Sequence, residues 1–156
     1  YIVYMDDIKR EVVRSLIVIS AVWPLNVVHE IGHVFVCMLY GNEYSVMLSL
    51  FGNSNTICFG DGFGDGLGVF VYRLSGGMSV TLILLVCLLI LGVKIGVGTK
   101  VGIYSLILIS SVHGLFESLF FDYYISNVSQ SGVVLGVVLV FVVVMQWVVI
   151  VRRSNL

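Results

Sequence analysis

Charged side chains cut the chain into long apolar runs. None lies between Arg73 and Lys94, between Lys100 and Glu117, or between Asp122 and Arg152. A helix that crosses the hydrocarbon of a bilayer needs about 20 residues, and each of these runs is that long or close to it. A fourth run, Ser15 to Tyr40, is apolar except for Asn26, His29, Glu30 and His33. The pattern predicts four transmembrane helices, near 13–40, 74–93, 101–121 and 132–151. The first run is too long and too polar to be a cleavable signal peptide. In the last, Gly132 and Gly136 form a GxxxG that allows close approach of a neighbouring helix. Pro24, inside the first run, removes a backbone donor and leaves the Ser20 carbonyl without its usual partner, so a bend is expected there.

Residues 41–73 break the pattern. Asn, Ser, Gly and Asp alternate with Tyr, Val, Met, Leu and Phe, which predicts strand-like stretches around 44–51 and 67–72. Between them runs Gly60-Asp61-Gly62-Phe63-Gly64-Asp65-Gly66, read as a flexible loop beside or dipping into the membrane. Asp61 and Asp65 are spaced as in one copy of a calcium-binding glycine repeat, and a plain loop is the favoured reading. The expected fold is an all-α polytopic membrane protein. It forms one membrane-embedded domain over 1–156, with a β-hairpin and glycine-rich insert at 41–73 between helices one and two.

Composition agrees: 59% of residues are apolar, 11% are charged and one is proline. A soluble domain carries about 25% charge. A net charge of −1 with no basic cluster argues against disorder and against nucleic acid as a partner. Cys37, Cys58 and Cys87 are odd in number and contain no CxxC pair. They are expected neither as a disulfide framework nor as a thiolate zinc knuckle, and Cys37 is expected as a buried thiol. If the helices alternate, Lys9, Arg10, Arg14, Lys94, Lys100, Arg152 and Arg153 share one side, opposite Arg73. The positive-inside rule then puts both termini in the cytoplasm and 41–73 outside.

The chemistry concentrates in His29-Glu30-Ile31-Gly32-His33, an HExxH. Positions i and i+4 of a helix face the same way, so both imidazoles can reach one Zn²⁺ at about 2.0–2.1 Å. Glu30 points roughly 100° around the helix and is free to act as a base. Ionisable groups at this depth are costly, which makes them functional candidates. A catalytic zinc needs a third protein ligand and an open position. The third helix offers His113, Glu117 and Asp122. His29 and His33 lie 11 and 7 residues inside Tyr40, which puts the ion roughly 10–16 Å deep. His113 and Glu117 share a face at matching depth; Asp122 is about 140° from Glu117 on an unbroken helix. Helix geometry therefore favours Glu117 as ligand, with His113 as a neighbour able to steady an oxyanion.

These residues resemble the site-2 protease family of intramembrane zinc metalloproteases. The resemblance rests on HEIGH in the first core helix, Gly41 after it, a hairpin-like segment, a second helix opening Leu74-Ser75-Gly76-Gly77, and a third helix bearing an acid. It implies that His29 and His33 bind zinc and that Glu30 is the catalytic base. The family's third ligand is an aspartate in an NxxPxxxxDG-like stretch, which would be Asp122 here. Gly114, Glu117 and Tyr123 then stand where the family has asparagine, proline and glycine. Because those helix-unwinding residues are absent, Glu117 ranks ahead of Asp122. The expected activity is hydrolysis of peptide bonds in or near transmembrane segments, with transmembrane proteins as substrates and the bilayer as surroundings. An edge strand at 44–51 or 67–72 would hold the substrate extended. A homo-oligomer is compatible with the sequence. The alternatives are a non-catalytic membrane protein that binds metal or haem through His29, His33 and His113, and a degenerate protease-like protein that binds helices without cutting them.

Overall fold

Backbone in lipid must satisfy its hydrogen bonds within the chain, and apolar runs of this length do so as helices. A computed structural model describes residues 2–49, 54–64, 66–92, 94–120, 137 and 140–148. Its elements are α1 (Ile2–Ile19), α2 (Val22–Leu39), β1 (Glu43–Met47), β2 (Asn55–Phe59), α3 (Gly66–Leu91) and α4 (Val97–Leu119). Three segments are long and apolar enough to cross a membrane: Asp7–Leu39, Gly66–Leu91 and Val97–Leu119. Such a chain is consistent with a membrane protein. Of the fourth expected helix, 140–148 is helical, and Gln146 Oε1 accepts a 3.2 Å hydrogen bond from Ser105 Oγ of α4. The rest of 132–151, with Gly132 and Gly136, lies outside the described residues.

The first run is two helices rather than one. Pro24 cannot donate to the Ser20 carbonyl, and the chain breaks at Ser20–Ala21. There Ala21 N bonds back to Val18 O at 3.0 Å and Ser20 Oγ to Ile17 O at 2.6 Å. Pro24 falls in the first turn of α2, where a missing N–H costs nothing. α1 also starts well before residue 13. Its charges pair along the helix, Arg10 with Asp7 at 2.8 Å and Arg14 with Glu11 at 2.5 Å.

The insert at 41–73 contains the expected hairpin with one strand misplaced. β1 and β2 are antiparallel, with Glu43 opposite Phe59 and Met47 opposite Asn55. Residues 67–72, expected as a strand, are instead the opening of α3. Their alternation is real, but they lead into an unbroken apolar run, and continuing the helix satisfies every backbone group. In the glycine-rich loop, Gly60 and Gly64 have positive φ, and Gly64 N closes a turn onto Asp61 O at 3.1 Å. Asp65 lies outside the described residues.

α3 packs between α2 and α4, and Val80, Leu84, Ile103 and Leu106 form the buried apolar cluster. At other levels the helices meet through glycine. A Cβ on Gly32 would fall 2.6 Å from Ser75 O, and one on Gly77 would fall 2.6 Å from Gly114 N. α1 lies against α4, where Glu11 Oε2 accepts the Gly98 N–H at 2.6 Å. The cysteines correct the sequence reading. Cys37 and Cys58 are joined in a disulfide across 21 residues, with Cα atoms 6.0 Å apart, and Cys87 is free. An odd count left one thiol over, and a bond from a helix end to a strand carries no short-spacing signature. Closing a loop of this length stabilises the fold by about 3 kcal/mol in the chain-entropy account.

Candidate metal centre

Two helices bring three polar side chains to a common point. His29 and His33 stand one turn apart on α2 and are 7% and 4% exposed. Glu117, near the end of α4, reaches across to them. The Nε2 atoms of the two histidines are 3.1 Å apart; Glu117 Oε2 is 3.3 Å from His29 Nε2, and Oε1 is 3.5 Å from His33 Nε2. Among the described residues this trio is the one cluster of His, Cys, Asp or Glu whose donor atoms converge closely enough to hold an ion.

The donors fit a metal on several grounds. Ligands about 2.0–2.1 Å from a tetrahedral zinc lie roughly 3.3–3.4 Å from one another, close to the separations found. Glu117 Oε2 is buried yet has no hydrogen-bond partner, and it lies 3.3 Å from the His29 Nε2 atom. A buried acceptor in that state is costly, and a cation would satisfy it. His33 Nδ1 donates to the Tyr72 carbonyl at 2.8 Å, with Ser75 Oγ 3.3 Å away. Such a bond fixes the tautomer and leaves the Nε2 lone pair for a metal.

The fourth ground is a glycine that sequence reasoning named but gave no role. A Cβ on Gly76 would lie 2.5 Å from both His29 Nε2 and His33 Nε2. Gly76 therefore keeps clear the space in front of the donor atoms, on the α3 side of the site. No motif spacing signals this, because it depends on how α3 is rotated against α2. Tyr72 was likewise unforeseen. Its carbonyl orients His33, its hydroxyl donates to Thr56 O at 2.9 Å, and its ring lies 4.9 Å from that of His33. Phe63 of the glycine-rich loop packs between Tyr72 and Tyr40, with ring centroids 5.2 Å from each.

Glu30 is 7% exposed and is not one of the converging trio, and its carbonyl accepts a 3.3 Å hydrogen bond from Thr56 Oγ1. His113, one turn before Glu117, stacks on His29 with centroids 5.0 Å apart and an interplanar angle of 17°. It stays beside the donor set rather than in it. Asp122 lies outside the described residues. The arrangement can thus present two neutral nitrogens and one carboxylate to a divalent ion, with a second carboxylate, Glu30, one residue from a ligand. No family model, curated protein or solved structure matches the chain.

Proposed function

We propose that the protein is an intramembrane zinc metallopeptidase that hydrolyses peptide bonds in or near the transmembrane segments of other membrane proteins. The observation that carries this reading is the convergence of His29, His33 and Glu117, with Glu30 adjacent, in helices apolar enough to span a bilayer. The resemblance of the HEIGH stretch to site-2 proteases points the same way.

His29 Nε2, His33 Nε2 and a Glu117 oxygen would hold the ion. A zinc ion there supplies Lewis acidity, making water a nucleophile near neutral pH and polarising the scissile carbonyl. Glu30 accepts the proton of the attacking water and delivers it to the leaving amine. His113, stacked on His29, would donate a hydrogen bond to the developing oxyanion. The hairpin presents the substrate. Thr56 turns its carbonyl away from β1 to Tyr72, so the Val46–Thr56 pair directs its backbone groups outward. By the alternation of antiparallel ladders Tyr44 does the same. The outer edge of β1 then offers the N–H and C=O groups of Tyr44 and Val46 to an extended peptide. The charge distribution supports an orientation with the hairpin on the extracytoplasmic side and the α3–α4 turn, with Lys94, in the cytoplasm.

The test is Glu30→Gln in the purified full chain. It is expected to keep its zinc and to lose cleavage of a transmembrane substrate by at least about 10²-fold, the scale of a lost general base. Cleavage at the parent rate would exclude the mechanism. Zinc bound at full stoichiometry with no cleavage by the parent protein would favour a non-catalytic metal-binding protein built on the same trio.

A further inference from the structure

Cys37 and Cys58 are not part of the hydrolytic machinery, yet their bond sits where it bears on it. Cys37 is fully buried, one helical turn beyond His33 on α2; Cys58 is half-buried on β2. Two residues before Cys58, Thr56 Oγ1 donates to the Glu30 carbonyl and Thr56 O accepts from the Tyr72 hydroxyl. The Tyr72 carbonyl in turn fixes His33. The disulfide therefore anchors the strand that touches the backbone of the base and, through Tyr72, the imidazole of a ligand.

We infer that the Cys37–Cys58 disulfide is a redox latch on the metal centre: oxidised, it holds β2 against the HExxH helix, and reduction loosens the site. The inference rests on the metallopeptidase reading only for its effect on cleavage. A dithiol reductant delivered to the disulfide's own side of the membrane would attack the more accessible sulfur, that of Cys58, and form a mixed disulfide, with Cys37 leaving as the buried thiolate and taking up a proton. The second thiol of the reductant then displaces Cys58, so the reductant leaves as its own disulfide and the protein gains two electrons and two protons as two thiols. Two features suit a latch. The bond belongs to the side that the positive-inside count places outside the cytoplasm, where disulfides form and persist. The polar links it backs, Thr56 to Glu30 and Tyr72 to Thr56, are single hydrogen bonds with no second tie of their own kind between β2 and the motif among those described.

The experiment uses the full chain in lipid nanodiscs, reduced with a water-soluble phosphine, which takes oxygen from water as the disulfide becomes two thiols. Alkylation with mass analysis is expected to find Cys37 and Cys58 blocked before reduction and both reactive after it. Amide hydrogen exchange in the zinc-free protein is expected to speed at residues 30–37 and 55–59 on reduction, and to recover on reoxidation. In zinc-loaded protein, transfer of the ion to a chelator is expected to accelerate roughly 10-fold or more, the scale of losing a group that orients a ligand. Tyr72→Phe, which cuts the relay beyond the disulfide, is expected to exchange its zinc faster already and to respond less to reduction. Free thiols in the untreated protein, or unchanged exchange at residues 30–37 after reduction, would overturn the latch. Absence of zinc from the oxidised protein would instead count against the metallopeptidase reading and leave the exchange measurement decisive for the latch.

Discussion

Three donor atoms about 3 Å apart, with a bare α-carbon facing them, make the residue scale unusually discriminating. Replacing Gly76 by alanine improves helix propensity by roughly 0.5–1 kcal/mol. It also puts a methyl group 2.5 Å from both Nε2 atoms. Gly76→Ala is therefore expected to retain helical content while zinc stoichiometry, measured by atomic absorption on purified protein, falls well below one. The third ligand can be tested in the same way. Glu117→Ala should lose the ion, while Asp122→Ala should hold it, and the opposite pattern would move the ligand to Asp122. The convergence of the two histidines was legible because a helix converts a spacing of four residues into a shared direction. Glu117 was legible because depth along two parallel spans can be counted. Gly76 and Tyr72 were not, since their roles come from approach between helices and leave no trace in spacing.

Among the elements, α1 and its contact with α4 were the least expected. α4 starts on Gly96 with no side-chain cap of its own, and Glu11 from α1 supplies the missing acceptor at Gly98 N. A carboxylate at a helix N-terminus satisfies an orphan donor and complements the dipole. Glu11→Ala is expected to cost about 1 kcal/mol, read as a lowered Tm with zinc content unchanged. A bend near Ser20, though not the full break into two helices, was readable from Pro24, because the lost hydrogen bond is a local fact. The second strand was not: 67–72 has the alternation of a strand and belongs to α3, whereas Asn55–Phe59 pairs with β1. Alternation reports which faces are apolar, and here the long apolar run that follows overrides it by continuing as one helix.

For the whole molecule, the distribution of basic residues sets an expectation about orientation. In an otherwise parental chain, D61C is expected to react with a membrane-impermeant maleimide on intact cells, and K94C only after permeabilisation; Lys94 and Asp61 are both exposed. Labelling in the reverse order would invert the topology. That the chain is mostly helical, with helices apolar enough to cross a membrane, could be read from run lengths alone, while the disulfide could not, because it depends on α2 and β2 meeting in three dimensions. One feature of the helix contacts reaches further. Gly77 meets Gly114 backbone to backbone, and Gly114 is one turn from Glu117. The distance between the imidazoles and the carboxylate is thus dictated by two absent side chains, not by attraction between the donors themselves. Such a centre is a socket cut to size before its occupant arrives. If the trio holds an ion as proposed, little conformational freedom would be surrendered on its capture.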